Sequence, residues 1–448
     1  MRIRMAIMIT ALSAVAVLSL PAFGVPAVTV AAEEEIYDFV NPDNGSGPLW
    51  SFGCSPIARV GEAIYVSQME TGKDVPPLSN TRWRLLRREA GGWRMLAEAD
   101  AFRQREPCVL VQGPAGELFL YVNDSTQPPG AMYGNCQPHL LRFLVKGDTV
   151  EQQPVMPVWR GEPYYTDHSY RGYAADPAHS QLLMLNIDAK SGVEHACLLS
   201  TAGETLANGS ITFPIRSCYP QVALRDGAVS VMAIGDIVEP VEEWRKYKHE
   251  QTQRDWDYVF RILYLAETPD LRGQDFGNPL EIANVDATGG HISNKDLWVS
   301  PEGEAYLMYT EREVASALLR DKFFPGKSIL DTLKVAVVKG GQVVSRRTLL
   351  EGTDQRAPGD ARFHVTPKGV VYAVLNVTGE DAGNKLLQVY PRLDAAPLIP
   401  IPLKTPFSSF LLASVRAGNA PSNLIDMYGH TTSGEKLCYA QIRIDTGG

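Results

Sequence analysis

No Lys/Arg-rich run occurs anywhere in the chain, and its 42 basic residues are outnumbered by 51 acidic ones. That balance argues against nucleic acid or an anionic membrane as partner, since both are held through a basic surface. An acidic ligand stays open only if cations are gathered in one cleft. Long apolar stretches are also missing, with one exception at the N-terminus. Arg2 and Arg4 precede an apolar run from Met5 to Leu20, and small residues then offer cleavage after Gly24 or after Ala32. This reads as a signal peptide within residues 1–32, so the mature chain from residue 33 is expected to be secreted or periplasmic, with no membrane contact. Cysteine is sparse: six residues at Cys54, Cys108, Cys136, Cys197, Cys218 and Cys438. In an exported chain that even number permits up to three disulfides. No C-x-x-C pair or Cys/His cluster points to zinc, no cofactor is called for, and a structural calcium is left open.

Helical periodicity is equally scarce. What recurs is a short strand, a tight turn, and an apolar strand that ends in a loop. It appears as SPIARVGEAIYVSQ from Ser55, PCVLVQGPAGELFLYV from Pro107, GYAADPAHSQLLMLNI from Gly172 and YPQVALRDGAVSVMAI from Tyr219. It continues as DLWVSPEGEAYLMYT from Asp296, ARFHVTPKGVVYAVLNV from Ala361 and, with a longer and less regular turn, LASVRAGNAPSNLIDMYG from Leu412. Turn glycines such as Gly227, Gly303 and Gly369 fall at the same point of the unit, where a hairpin needs a positive φ. Most copies are followed by a second hairpin, for example TRWRLLRREAGGWRML from Thr81. Two hairpins make a four-stranded antiparallel blade, and seven serial copies predict a single seven-bladed β-propeller. The last copy ends at KLCYAQIRID, one strand short; EIYDFV, from Glu35, is the strand expected to complete that blade and close the ring.

Naming the strands of each blade A to D from the centre outward, the A–B and C–D turns share one end of the ring. The B–C and D–A loops share the other. The A–B and C–D turns are mostly short, whereas B–C insertions at 123–137, 235–257 and 311–331 should crown a single face, where function is expected. The D–A loops bring the starts of the inner strands to the same mouth: Arg105 and Glu106; Asp167, His168, Tyr170 and Arg171; and Tyr219. Further round come His291, Asn294, Lys295 and Asp296, then Arg362 with His364, and Arg416. The insertions add His139, Trp244, Arg245, Lys248, Tyr258 and the pair Phe323–Phe324. Cationic, aromatic and polar side chains at a channel mouth suit an acidic oligosaccharide or polysaccharide. His168 is a candidate general acid or base, and the arginines are candidate clamps for a carboxylate or sulfate.

The repeated unit resembles the sialidase-like, BNR-type propellers. The stretch HSYRGYAADPAHSQLLMLN followed by CYPQVALRDGAVSVMAI is closest to the propeller-fold lyases that act on ulvan. That resemblance implies β-elimination at a uronic acid: a Tyr/His pair handles the proton and the leaving oxygen, and an arginine neutralises the carboxylate. On this chain His139 and His168 match the histidines, Tyr219 the tyrosine and Arg245 the arginine. Arg105, Tyr170, Arg171, Trp244, His291, Arg362 and Arg416 would then bind substrate. The S-x-D-x-G-x-x-W box of sialidases is not intact, although Arg105, Arg362 and Arg416 could supply an arginine triad. The reading is therefore a monomeric polysaccharide lyase, with a sialidase-like glycoside hydrolase or a non-catalytic glycan- or protein-binding propeller as alternatives.

Overall fold

The computed structural model describes residues 26–445, apart from Phe52, Met132, Ser169, Asp255, Trp256, residues 393–395 and Glu435. Seven four-stranded antiparallel sheets are arranged as the blades of a propeller. The inner strands are Ile57–Val60, Val109–Gln112, Gly172–Asp176, Ser217–Arg225, His291–Val299, Arg356–Val365 and Phe407–Leu412 for blades 1 to 7. Alternating side chains on the strands of each blade pack face to face between neighbouring blades. Leu183, Leu185 and Leu198 of blade 3, for example, meet Val222, Val231 and Ala233 of blade 4 with no solvent exposure. Full burial of one such leucine or valine stabilises by about 1.5–3 kcal/mol. Gly172 is required at this seam, since an added Cβ would lie 2.4 Å from Cγ2 of Val222.

The ring closes as expected, by an N-terminal strand antiparallel to Lys436–Asp445. That strand is Ala27–Asp38 and begins well before EIYDFV. Residues 1–25 of the expected leader lie outside the described residues, whereas Ala27 to Ala32 form the first half of the closing strand. Only the cleavage point after Gly24 leaves that strand whole.

Two insertions crown the B–C face. In blade 4 a two-stranded ribbon, Ile237–Val238 with Tyr258–Val259, carries helix α1 (Glu242–Thr252). In blade 5 the insertion holds helix α2 (Ala317–Phe323). The expected disulfides are not formed: all six cysteines are free. Five are buried, and burial pushes the thiols of Cys108 and Cys136 up to about 12 and that of Cys197 to about 11. They behave as small apolar core residues rather than staples.

The irregular turn of the last unit has a structural purpose. The inner strand of blade 7 is Phe407–Leu412, upstream of the stretch where the repeat places it, so residues 413–423 form its A–B connection at the opposite end from the insertions. This loop touches each of the other six blades. Asn419 accepts from Arg59 N (2.7 Å), Ala417 O from Gln112 N (2.8 Å) and Arg416 O from Ala175 N (2.9 Å). The Arg416 guanidinium donates to Val222 O at 3.0 Å, to Gly53 O at 2.9 Å and to Asp296. In blade 6, His364 Nε2 donates to Ser422 O (2.7 Å), and Ser422 N donates to Val365 O (3.0 Å). Gly418 turns with φ +80°, and a side chain there would strike Gln112 O.

Two outcomes follow for stability. A chain beginning at Val25 keeps the closing strand; one beginning at Glu33 loses Val28 and Val30, which pack on the blade 7 core. The shorter chain should be about 2–4 kcal/mol less stable and melt several degrees lower by calorimetry. Burial also depresses His364 from 6.5 to about 4, outweighing its bond to Ser422 and the nearby Asp426 charge. The unfolded chain therefore binds a proton below about 6.5 that the native hub refuses until about 4, and stability falls as pH drops through that window. Denaturant titrations at pH 7, 5 and 4 should show a shallower loss for His364→Gln than for the parent chain.

Candidate functional site

At the insertion-bearing mouth, the D–A loops of blades 2 to 4 converge on a narrow cleft. Glu106, Tyr170, Arg171 and Tyr219 line it with Trp50 and Cys54. Its centre is a chain of hydrogen bonds. Glu106 Oε1 lies 3.0 Å from His168 Nδ1, and His168 Nε2 lies 2.9 Å from the Tyr170 hydroxyl. That hydroxyl is 2.7 Å from Asp236 Oδ2 and accepts from Arg216 Nη2 at 2.7 Å. Arg216 Nη2 is also paired with Asp236. Both carboxylates are buried, at 4 % exposure for Glu106 and 2 % for Asp236, while the His168 and Arg216 side chains keep 28 % and 41 %. Acids behind, imidazole and guanidinium in front: the exposed members are the ones able to meet a ligand.

The Glu106 carboxylate accepts from Nδ1–H of His168, so the Nε2 edge faces the Tyr170 hydroxyl, which itself donates to Asp236. With the Tyr170 O–H held by Asp236, an Nε2 lone pair of His168 is not tied up by that hydroxyl. Burial pushes the Tyr170 and Tyr219 hydroxyls well above the usual phenol range, so both keep their protons at neutral pH. The Arg216 ion pair with Asp236 uses only Nη2; among the described residues Nε and Nη1 have no partner.

Tyr219 is placed by a β-bulge. The register of the inner strand of blade 4 jumps between Cys218 and Gln221, and Tyr219 takes φ +54° immediately before Pro220. A left-handed non-glycine residue in that position is strained, and such strain concentrates at functional sites. Blades 5 and 6 carry bulges after Asn294 and after Pro358. The bulges are laced together: Asn294 Nδ2 donates to Tyr219 O (2.7 Å), while Gln221 and Arg362 donate to Lys295 O (3.1 and 2.8 Å). Rings then run round the mouth from His168 to Tyr170, Tyr219, Phe260 and His291, with centroid separations of 4.6, 5.4, 5.7 and 6.0 Å.

Of the residues proposed from sequence, His168, Tyr170, Arg171 and Tyr219 meet at this cleft, and His291 lies further round the mouth against Phe260. The others do not join them. His139 sits on the third strand of blade 2, with Nδ1 on Gln137 O (3.0 Å) and Nε2 3.8 Å from Asp124. Trp244 packs on Phe324 (5.2 Å) and over the Arg261 guanidinium (5.1 Å), joining α1 to α2. Its neighbour Arg245 is exposed on α1, with no contact to the cleft. Arg105 is tied to the 41–47 segment through Asn44 O (3.1 Å). Arg362 is mid-strand and paired with Asp360 (2.8 Å), and Arg416 is buried in the hub at the other end. A second arginine at the cleft, Arg216, is one that the sequence reading does not single out. It ends a D–A loop just upstream of the Tyr219 repeat, and that position was the available signal. Asp236, also missed, comes from the blade 4 insertion.

A wide cavity, about 810 Å³, opens at the opposite end between the short turns of blades 2 to 5 and the hub loop. Its walls are mainly apolar side chains and turn backbone, including Pro114, Pro177, Pro301 and Pro421. The chemistry-bearing groups are at the other mouth, and size alone does not outweigh that.

Tyr170→Phe removes a hydroxyl shared by His168, Asp236 and Arg216 and should cost about 1–3 kcal/mol in urea denaturation. Arg245→Ala, on the exposed helix face, should change stability by less than about 0.5 kcal/mol.

No protein-family model matches the chain, and no curated protein sequence does. Solved structures do resemble it. An ulvan lyase of polysaccharide lyase family PL25, bound to -[GlcA(1-4)Rha3S]-, superposes with a TM-score of 0.55 at 8% identity, over 92% of this chain and 95% of that one. Polysaccharide lyase Uly1 gives 0.53 at 11% identity, over 93% and 98%. By fold, then, this chain is similar to the propellers of polysaccharide lyases along nearly its whole described length.

Proposed function

We propose that this protein is an exported lyase that cleaves a uronic-acid-containing, ulvan-like polysaccharide by β-elimination. The observation that carries the proposal is the meeting of His168, Tyr170, Tyr219 and Arg216 at one mouth, each backed by a buried partner or a strained backbone. The shared fold with ulvan lyases supports the substrate class. The free edge of Arg216 takes the uronate carboxylate, which makes the C5 proton more acidic and stabilises the charge that develops as it leaves. His168 Nε2 removes that proton, the Tyr170 O–H beside it being held by Asp236. The electron pair forms the C4–C5 double bond, the C4–O4 bond breaks, and Tyr219 gives its proton to the departing oxygen. Arg216 thus takes the part that the resemblance gave to Arg245. Glu106 and Asp236 are positioning residues that hold the imidazole tautomer and the guanidinium.

The test is incubation with ulvan while following the ultraviolet absorbance of the conjugated unsaturated product. Absorbance should rise, and His168→Ala or Tyr219→Phe should lower kcat about 10²–10⁴-fold. Arg216→Ala should reduce kcat/KM strongly, while Arg245→Ala stays within about twofold. New reducing ends without absorbance would replace elimination by hydrolysis. Tight binding with neither product would make the propeller a glycan-binding module.

A further inference from the structure

Further round the mouth, the inner strand of blade 5 presents His291, Ser293 and Lys295 on one face, all partly exposed between the buried Ile292 and Asn294. The bulge that follows Asn294 brings Lys295 to the level at which Tyr219 projects from blade 4. Its carbonyl is locked by Gln221 and Arg362, so its position is set by the lacing between blades. Its ammonium, in contrast, has no hydrogen bond or ion pair among the described residues. The reason is that every neighbouring carboxylate is already engaged. Both oxygens of Asp331 are taken by Arg312, at 3.1 and 2.5 Å. Asp360 is held by Arg362 (2.8 Å), Phe410 N (3.0 Å) and Ser409 (3.3 Å), and Asp296 by Arg416 and Phe363 N (2.8 Å).

An ammonium partly withdrawn from water without a counter-ion is costly. Burial depresses the Lys295 pKa, with Asp360 opposing the shift. His291 lacks a hydrogen-bond partner too, and burial together with the Arg312 charge keeps it neutral at pH 7. It is therefore a donor or acceptor rather than a second cation. The ring row from Tyr219 through Phe260 ends at His291, so a glycan lying on those rings reaches this sector.

We infer that Lys295, with His291 beside it, forms a second anion subsite for the carboxylate or sulfate ester of a sugar residue next to the one bound at Arg216. The inference rests on the reading of the mouth as a glycan cleft. It makes the preferred ligand a polymer with acid groups on successive residues, and Lys295 a specificity-determining residue, not a catalytic one.

Two measurements test it. Trace acetylation with acetic anhydride, read by peptide mass spectrometry, should label Lys295, and inorganic sulfate or ulvan should protect it more than the surface lysines. Calorimetric binding and turnover should then be compared for the parent, Lys295→Gln and Lys295→Arg on ulvan, desulfated ulvan and carboxyl-reduced ulvan. Lys295→Gln should weaken binding to ulvan and raise KM about tenfold, with kcat within about twofold, and Lys295→Arg should restore most of the loss. If the tenfold difference vanishes on the desulfated polymer the bound group is a sulfate; if it vanishes on the carboxyl-reduced polymer it is a carboxylate. Unchanged affinity of Lys295→Gln on all three polymers, or an unprotected amine, overturns the subsite whether or not ulvan is cleaved. Lys295-dependent binding without unsaturated product keeps the subsite and discards the lyase.

Discussion

The rest of the molecule depends on one loop that behaves as an axle. Residues 413–423 leave blade 7, cross the channel and bond to every other blade, with the Arg416 guanidinium at the centre. A ring of blades held only by neighbour-to-neighbour packing can vary in pitch and spacing. A buried arginine that must satisfy two carbonyls and Asp296 at once permits one arrangement. The net stability of such a buried ion pair is small, because both charges were taken from water, but leaving either unpaired is costly. Its contribution is to specify geometry. Asp296 is the residue after Lys295, and its other oxygen accepts from Phe363 N in blade 6, so the hub and the lacing of the mouth are a single connected network.

That network explains how a strained Tyr219 is tolerated. The inner strands of blades 4, 5 and 6 each bulge, and each bulge frees a residue from the ladder to face the channel. A bulge removes local pairing and adds twist. Here the Tyr219 and Lys295 carbonyls released by the bulges are capped by side chains of the neighbouring blades, so little backbone polarity is left unsatisfied. The side chains are thereby aimed by rigid strands, and the insertion of blade 4 adds the counter-charge Asp236, the ring of Phe260 and the Tyr258 ring, 5.7 Å from the Arg216 guanidinium.

The seven blades and their closure are legible in the sequence because strand alternation and turn glycines are local signals, repeated often enough to set the architecture. The site was legible where residues directly precede or open an inner strand marked by the repeat, as for His168 and Tyr170 at the end of the 156–171 connection and Tyr219 near the start of its strand. Arg416 was misread because the last unit lacks a tight turn, so its apolar start at Leu412 looks like the beginning of a strand that in fact ends there. Arg362 was misplaced for a related reason: the strand begins at Arg356 and passes a bulge, which the two-residue period cannot reveal. Arg245 was chosen by blade position inside an insertion, and insertions carry no repeat to fix register; the chain turns helical there and exposes it. Cysteine parity failed because the thiols are distributed as core residues, an arrangement that counting cannot distinguish from a framework of bridges.

The two ends of the ring divide their tasks along the same physical line. At the end with short turns, the hub loop forms part of the wall of the wide cavity, and its polar groups are spent on bonds to the blades. What remains facing that cavity is mostly apolar or backbone, which offers volume with few groups to fix a ligand. At the other end the cleft beside Tyr219 has only about 20 Å³ of room, roughly one water molecule. A polymer does not need to enter such a cleft. Under the proposed reading a glycan would lie across the mouth and present a single acidic sugar to Arg216 and His168. Where the protein has satisfied its own polar groups it has built a scaffold; the guanidinium edge, the ammonium and the imidazole at the mouth are the groups on which the proposed glycan reading rests.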